Sequence, residues 1–317
     1  MTINEKNLKN LGRLGLVLAS FLWGVSFVLM KNVLSSIPPL YILAIRFCGA
    51  TLILLPACAG KIKKFDKAYL RGGITMGVAL LLSYLFQTYG LNLTTPGKNA
   101  FLTSTYCVIV PFLFWVYIHL TIRKKSSAKI SLSGTESWVN KRPDRYNAAA
   151  AIICLAGMGL ISLDGDLRIG TGDALTIICG FFFALHIVVT AKFIDGRDPV
   201  MLAMLQFASA GVLSMIAAII LEPFPSGLAA ADVWSIVFLT VVSTAGCLLM
   251  QIFGQKYTPP AQAAVIMTLE SVFGALSSVI VFREVLTFRL IAGFALTFAA
   301  VIISETKLEF FRNKRIR

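Results

Sequence analysis

Glu270 is the first residue that asks for a chemical explanation. It is the one ionisable group in the apolar stretch 260–282. At about 1.5 Å per helical residue it lies roughly 15 Å from Pro260. A carboxylate that deep among apolar neighbours must face a cavity or a partner. It can bind a cationic group, take up a proton, or hydrogen-bond to a neighbouring helix. Arg46 poses the same question in 39–59. It can neutralise an anionic solute, extend outward to anchor its helix, or pair with an acid such as Glu270. His186 lies in the run 171–191 and can bind a proton or a solute, or be a satisfied buried histidine. Gln87 and Gln251 can line a pathway or bond between helices. Trp23, Tyr84, Asn99, Thr103 and Tyr106 complete the set of polar and aromatic cavity candidates.

Catalytic chemistry has little to stand on. No P-loop, H-E-x-x-H or G-x-S-x-G pattern occurs, and no C-x-x-C pair is formed by the six cysteines. The expectation is a chain with no catalytic residues, no metal site and no cofactor, in which the cysteines serve as small buried hydrophobes.

The elements that hold these residues follow from composition. Hydrophobic residues make up 57% of the 317 positions and charged residues 14%. Soluble domains carry about 25% charged residues. The mean hydropathy of +0.81 agrees, and a bilayer solvates the excess apolar surface. Ten runs are long enough to span: 14–34, 39–59, 69–91, 99–120, 147–163, 171–191, 200–221, 232–254, 260–282 and 288–305. The fifth is the shortest. The first follows Lys6, Lys9 and Arg13 like a signal peptide, but it is long and lacks a cleavage site, so an uncleaved helix is expected.

The charges set an orientation. With ten spans, one side carries 23 Lys and Arg residues and the other 5, Arg46 being the remaining one of 29. That bias puts both termini, the basic loop 121–146 and the basic tail in the cytoplasm. The net charge of +14 lies in short clusters between apolar runs. It therefore reads as a match to anionic membrane lipid and not to nucleic acid.

An internal repeat orders the spans. QTYGLNLTTPGKNA (87–100) and QIFGQKYTPPAQAA (251–264) share five identities in fourteen positions at a shift of 164, including Gln87/Gln251, Gly90/Gly254 and Pro96/Pro260. At a shift of 160, FLWGVSFVLMK (21–31) parallels FFFALHIVVTA (181–191), and YILAIRF (41–47) parallels MLAMLQF (201–207). The halves are then 1–166 and 167–317, with five spans each. An odd number starts the second half from the opposite side, so the repeats are inverted, as in secondary transporters.

Over roughly 14–305 the chain resembles the ten-helix drug/metabolite transporters with two EamA-type domains. FLWGVSFVLMK is similar to that family's opening helix. KNAFLTSTYCVIVP (98–111) is similar to its fourth, and AAVIMTLESVFGALSSVIVFREVLT (263–287) to its ninth, with the closing Glu284, Leu286 and Thr287. The chain departs in having Ser271 where the family often has proline, and His119 followed by basic residues after the fourth helix. The resemblance implies an all-α integral membrane protein of the plasma (inner) membrane, not an enzyme. It would export a small-molecule metabolite such as an amino acid, as a monomer or homodimer, by alternating access. A passive channel and a membrane-embedded lipid-modifying enzyme are the rival readings.

Overall fold

The structure, a computed structural model, describes residues 2–61, 65–124, 145–162, 169–225 and 229–306. Most of loop 121–146, the boundary between the two halves, Arg168 and the basic tail lie outside the described residues. Regular structure among the described residues is helical: α1 (Thr2–Val33), α2 (Pro39–Ala59), α3 (Lys67–Leu93), α4 (Pro96–Thr103), α5 (Tyr106–Lys124), α6 (Arg145–Ser162), α7 (Thr171–Ile194), α8 (Pro199–Leu221), α9 (Ala230–Phe238), a π-helical stretch (Leu239–Gly246), α10 (Cys247–Tyr257), α11 (Pro260–Met267), α12 (Leu269–Phe282) and α13 (Phe288–Thr306).

Local sequence explains the starts. Proline occupies the first turn of α2, α4, α8 and α11, where its missing N–H costs nothing. Asp66 caps α3 by accepting from the Tyr69 N–H at 2.8 Å. Asp198 caps α8 by accepting from Val200 and Met201. Helix α12 stops where Arg283 turns left-handed at φ 50°.

Eight stretches among the described residues are long and apolar enough to cross a bilayer, from Asn7–Val33 to Pro260–Phe282. Two further apolar helices, Arg145–Ile161 and Phe288–Ile303, are shorter and pack on each other. These are the fifth and tenth runs, and their length sets them apart from the expected ten full spans. Large apolar side chains stand on the outside, Ile220 at 73% exposure and Phe288 at 87%. Water would penalise that surface, whereas lipid tails accommodate it.

Three runs that read as continuous are interrupted. The fourth breaks at Ser104–Thr105, the ninth at Thr268, and the eighth passes through the π-helical stretch. Hydroxyls support the breaks by bonding back to carbonyls, Thr105 to Leu102 at 2.7 Å and Thr268 to Val265 at 2.6 Å.

Helices pack mainly across the chain's midpoint: α3 on α7 and α8, α2 on α8, α1 on α10 and α12, α4 on α12. Glycines set two crossings. A Cβ on Gly90 (α3) would come within 2.9 Å of the Gly172 carbonyl (α7), and one on Gly254 (α10) within 3.0 Å of the Gly12 carbonyl (α1). Gly211, Gly274 and Gly293 also lie against neighbouring helices. Gly246 meets only the Val241 carbonyl of its own π-helical stretch.

Candidate functional site

The helix breaks and the π-helical stretch converge on a central cavity. Its walls come from α1 (Trp23, Ser26, Phe27, Met30), α3 (Tyr84, Gln87, Thr88, Leu91), α7 (Phe183, Ile187) and the three interrupted runs (Tyr106; Ser243 and Gln251; Met267 and Glu270), with Arg46 from α2. It contains about 560 Å³ of space free of atoms, any part open to solvent included.

Arg46 is buried at 2% exposure and sits deep in this cavity. Its Nε donates to Thr244 Oγ1 at 2.9 Å and its Nη2 to Ser243 Oγ at 3.4 Å. Its guanidinium carbon stands 4.9 Å from the centre of the Tyr84 ring. No carboxylate pairs with it among the described residues. The π-helical stretch makes this arrangement possible. The wider turn leaves carbonyls without their usual i+4 donor. Trp23 Nε1 takes up the Ser243 carbonyl at 2.9 Å, and the Thr244 hydroxyl donates to Leu239 O, five residues back, at 2.7 Å.

Glu270 lies in the first turn of α12, where the helix dipole favours an anion. It lines the same cavity as Arg46, and the Tyr106 hydroxyl faces its carboxylate. Tyr106 is the first residue of α5. The two helix breaks thus bring their leading residues together.

Seven of the sequence candidates share the cavity wall: Trp23, Arg46, Tyr84, Gln87, Tyr106, Gln251 and Glu270. Asn99 and Thr103 stand behind it. Asn99 Nδ2 donates to Thr176 Oγ1 at 2.8 Å and to the Gln87 carbonyl at 3.2 Å. Thr103 Oγ1 accepts from Gln87 Nε2 at 3.3 Å. These two position Gln87 and tie α4 to α3 and α7. His186 is fully buried and pairs through Nε2 with Gln206 Oε1 at 3.0 Å. The pairing of Arg46 with Glu270 does not form.

The other wall residues were not among the candidates: Ser26, Phe27, Met30, Thr88 and Leu91 on α1 and α3, with Phe183, Ile187, Ser243 and Met267. The signal was helical spacing: 23, 26, 27 and 30 form one stripe of α1, and 84, 87, 88 and 91 one stripe of α3. Outside the cavity, Glu284 just past the end of α12 accepts from Thr95 Oγ1 and Ser278 Oγ at 2.5 Å each, which ties α12 to the start of α4.

The sequence pattern of the EamA-like transporter family matches residues 10–135 and again 170–306. An uncharacterized transporter of Archaeoglobus fulgidus is 30% identical over 92% of this chain and 85% of its own length. The uncharacterized transporter YoaV of Bacillus subtilis is 22% identical over 95% of this chain and 98% of its own. A crystal structure of another protein shares the fold at a TM-score of 0.67, covering 95% of this chain and 98% of that one at 15% identity. With one family pattern covering most of the chain in two segments, and a relative aligned along nearly all of it, the chain belongs to the EamA-like transporter family and is a multi-pass membrane transporter.

Proposed function

We propose that the protein is a secondary transporter that exports a small organic metabolite, such as an amino acid, across the plasma membrane. It has ten spans in two inverted repeats, 1–166 and 167–317, and both termini are cytoplasmic. It uses no cofactor and catalyses no reaction. The repeats rock about the cavity so that it opens to each side in turn.

The observation that carries the reading is the cavity's separated charges. A buried guanidinium without an acid partner is costly. A solute carboxylate would relieve it. Glu270, at the other charged position of the same wall, suits an ammonium group or a proton. A zwitterion satisfies both. The repeat reading is supported by the two glycine crossings, since Gly90/Gly254 and Gly12/Gly172 stand at the repeat shifts. It is also supported by the two broken helices, both begun by a proline at the same shift. The short helices α6 and α13 serve as the fifth and tenth spans in this reading.

Flux in proteoliposomes tests it. With a panel of amino acids, nucleosides, sugars and polyamines, at least one amino acid should enter with saturating kinetics and show counterflow. Fluxes that never saturate would make the protein a channel. No flux above empty vesicles, under any gradient, would remove transport of these solutes.

A further inference from the structure

The cavity lies nearer one end of its helices than the other. It extends from Trp23 and Arg46 to Met30 and Leu91, close to the ends of α1 and α3 at Val33 and Leu93. Those ends are stapled to each other, because Lys31 Nζ donates to the carbonyls of Leu91, Asn92 and Thr94 at 2.8–3.0 Å. Toward the opposite ends Leu16, Met76, Leu80 and Ile252 are fully buried, and α1 and α10 touch backbone to backbone at Gly12 and Gly254.

That sealed half holds an unexpected concentration of unmet polar groups. Ten buried side-chain N and O atoms find no partner among the described residues, and six of them belong to His186, Thr190, Gln206, Gln255 and Thr258. All five residues are at least 97% buried. A buried polar atom without a partner is costly, because it has lost its water and gained nothing in return. Natural proteins keep few of them, and those kept ask for a reason.

The repeat supplies one. At the shift of 160, His186 is the mate of Ser26, Thr190 of Met30, and Gln206 of Arg46. At 164, Gln255 is the mate of Leu91. Each of those four first-half residues lines the open cavity. Four of these five residues therefore occupy, by sequence, positions that the other half uses as its cavity wall; the fifth, Thr258, is the mate of Thr94, which does not line it.

We propose that His186, Thr190, Gln206 and Gln255 line a second, cytoplasm-facing half-cavity that opens when the outer one closes. It receives the same solute through neutral hydrogen bonds from two amides, an imidazole and a hydroxyl. Opening it gives the unmet atoms water or solute as partners and lowers the cost of the inward-open state. This rests on the alternating-access reading above and adds which residues form the inner path.

Single-cysteine accessibility tests it, in a transport-competent background with the six native cysteines replaced. The probe is a membrane-impermeant maleimide, applied to right-side-out and inside-out vesicles. Met30→Cys and Leu91→Cys should react from outside. Thr190→Cys and Gln255→Cys should react from the cytoplasmic side, at least about tenfold faster than Leu202→Cys, as expected if the open state is appreciably populated. Leu202 is equally buried in α8, but its mate Ile42 does not line the cavity. Reagent already attached at Met30→Cys should protect Thr190→Cys by holding the outer side open. If Thr190→Cys and Gln255→Cys stay as slow as Leu202→Cys while Met30→Cys reacts and transport persists, the inner path is overturned and the transporter reading stands. If both sides of a Met30→Cys/Thr190→Cys protein label together without protection, alternation itself is overturned.

Discussion

At the residue scale the decisive group is Arg46. Its hydrogen bonds go to neutral hydroxyls, so its charge remains available to a solute. Replacing it with glutamine should cost binding about 10- to 100-fold, the equivalent of about 1.5–3 kcal/mol for a charged hydrogen bond. The measurement is concentration-dependent uptake of whichever panel amino acid the parent moves, and an unchanged KM would take Arg46 out of the site. Glu270→Gln separates the two roles of its neighbour. If the carboxylate carries a proton, the pH dependence of transport should flatten; if it holds an ammonium group, affinity should fall at every pH. Both residues were legible in the sequence because a charge inside an apolar run has few explanations. Their relation was not. Nothing in the spacing of 46 and 270 says that they share a wall without pairing, or that Tyr106 turns toward Glu270. His186 was singled out for the same reason as Glu270, yet it pairs with Gln206 in the packed half.

At the element scale the apolar runs located the helices well, because length and hydropathy are strong signals for a bilayer span. The interruptions were invisible. LTVVSTAG reads as ordinary apolar helix, and its π-helical winding shows only beside the Trp23 and Arg46 contacts made to it. Lipid also removes the usual amphipathic contrast, since the outward face is as apolar as the packed one. Glycine roles divide along the same line. Gly254→Leu should overpack the α1–α10 crossing and destabilise the protein by about 1–3 kcal/mol. Gly246→Ala, facing only its own helix, should stay within about 0.5 kcal/mol. Thermal unfolding in detergent distinguishes them, and equal losses would refute the assignment.

A second element-scale prediction concerns the cap of α8. Burial pushes the Asp198 carboxyl up, but hydrogen bonds from Lys61 at 2.8 Å and from the Met201 and Val200 N–H groups outweigh it and hold its pKa below the usual 3.8. The folded pKa is depressed, so this stabilisation is present above about pH 4 and is lost as pH falls further. Asp198→Asn should lower the melting temperature at neutral pH and make it less sensitive to acid. A parent melting curve that keeps its midpoint down to pH 3 would contradict this.

At the scale of the whole molecule, the structure gives a role to three of the five cations on the side where the sequence has few. On the cation-poor face Lys31 holds carbonyls of α3, Lys98 pairs with Asp173 at 3.1 Å, and Arg289 donates to the Leu160 carbonyl at 2.9 Å. These three cations are internal fasteners. A reporter fused at either end should therefore be active in the cytoplasm, and protease reaching it from outside in intact cells would reverse the topology.

The lone guanidinium also has an electrical consequence. In the alternating-access reading proposed above, the outward-open cavity lets water reach toward Arg46 from outside, and the membrane voltage then falls mostly across the packed half beneath it. Opening the other half moves that drop to the far side of Arg46. The residue stays nearly in place while the field crosses it, and a full charge traversing 100 mV is worth about 2.3 kcal/mol. Even a solute of zero net charge should then move at a rate that follows an imposed diffusion potential, and Arg46→Gln should weaken that dependence. The protein would sense voltage without carrying any net charge across.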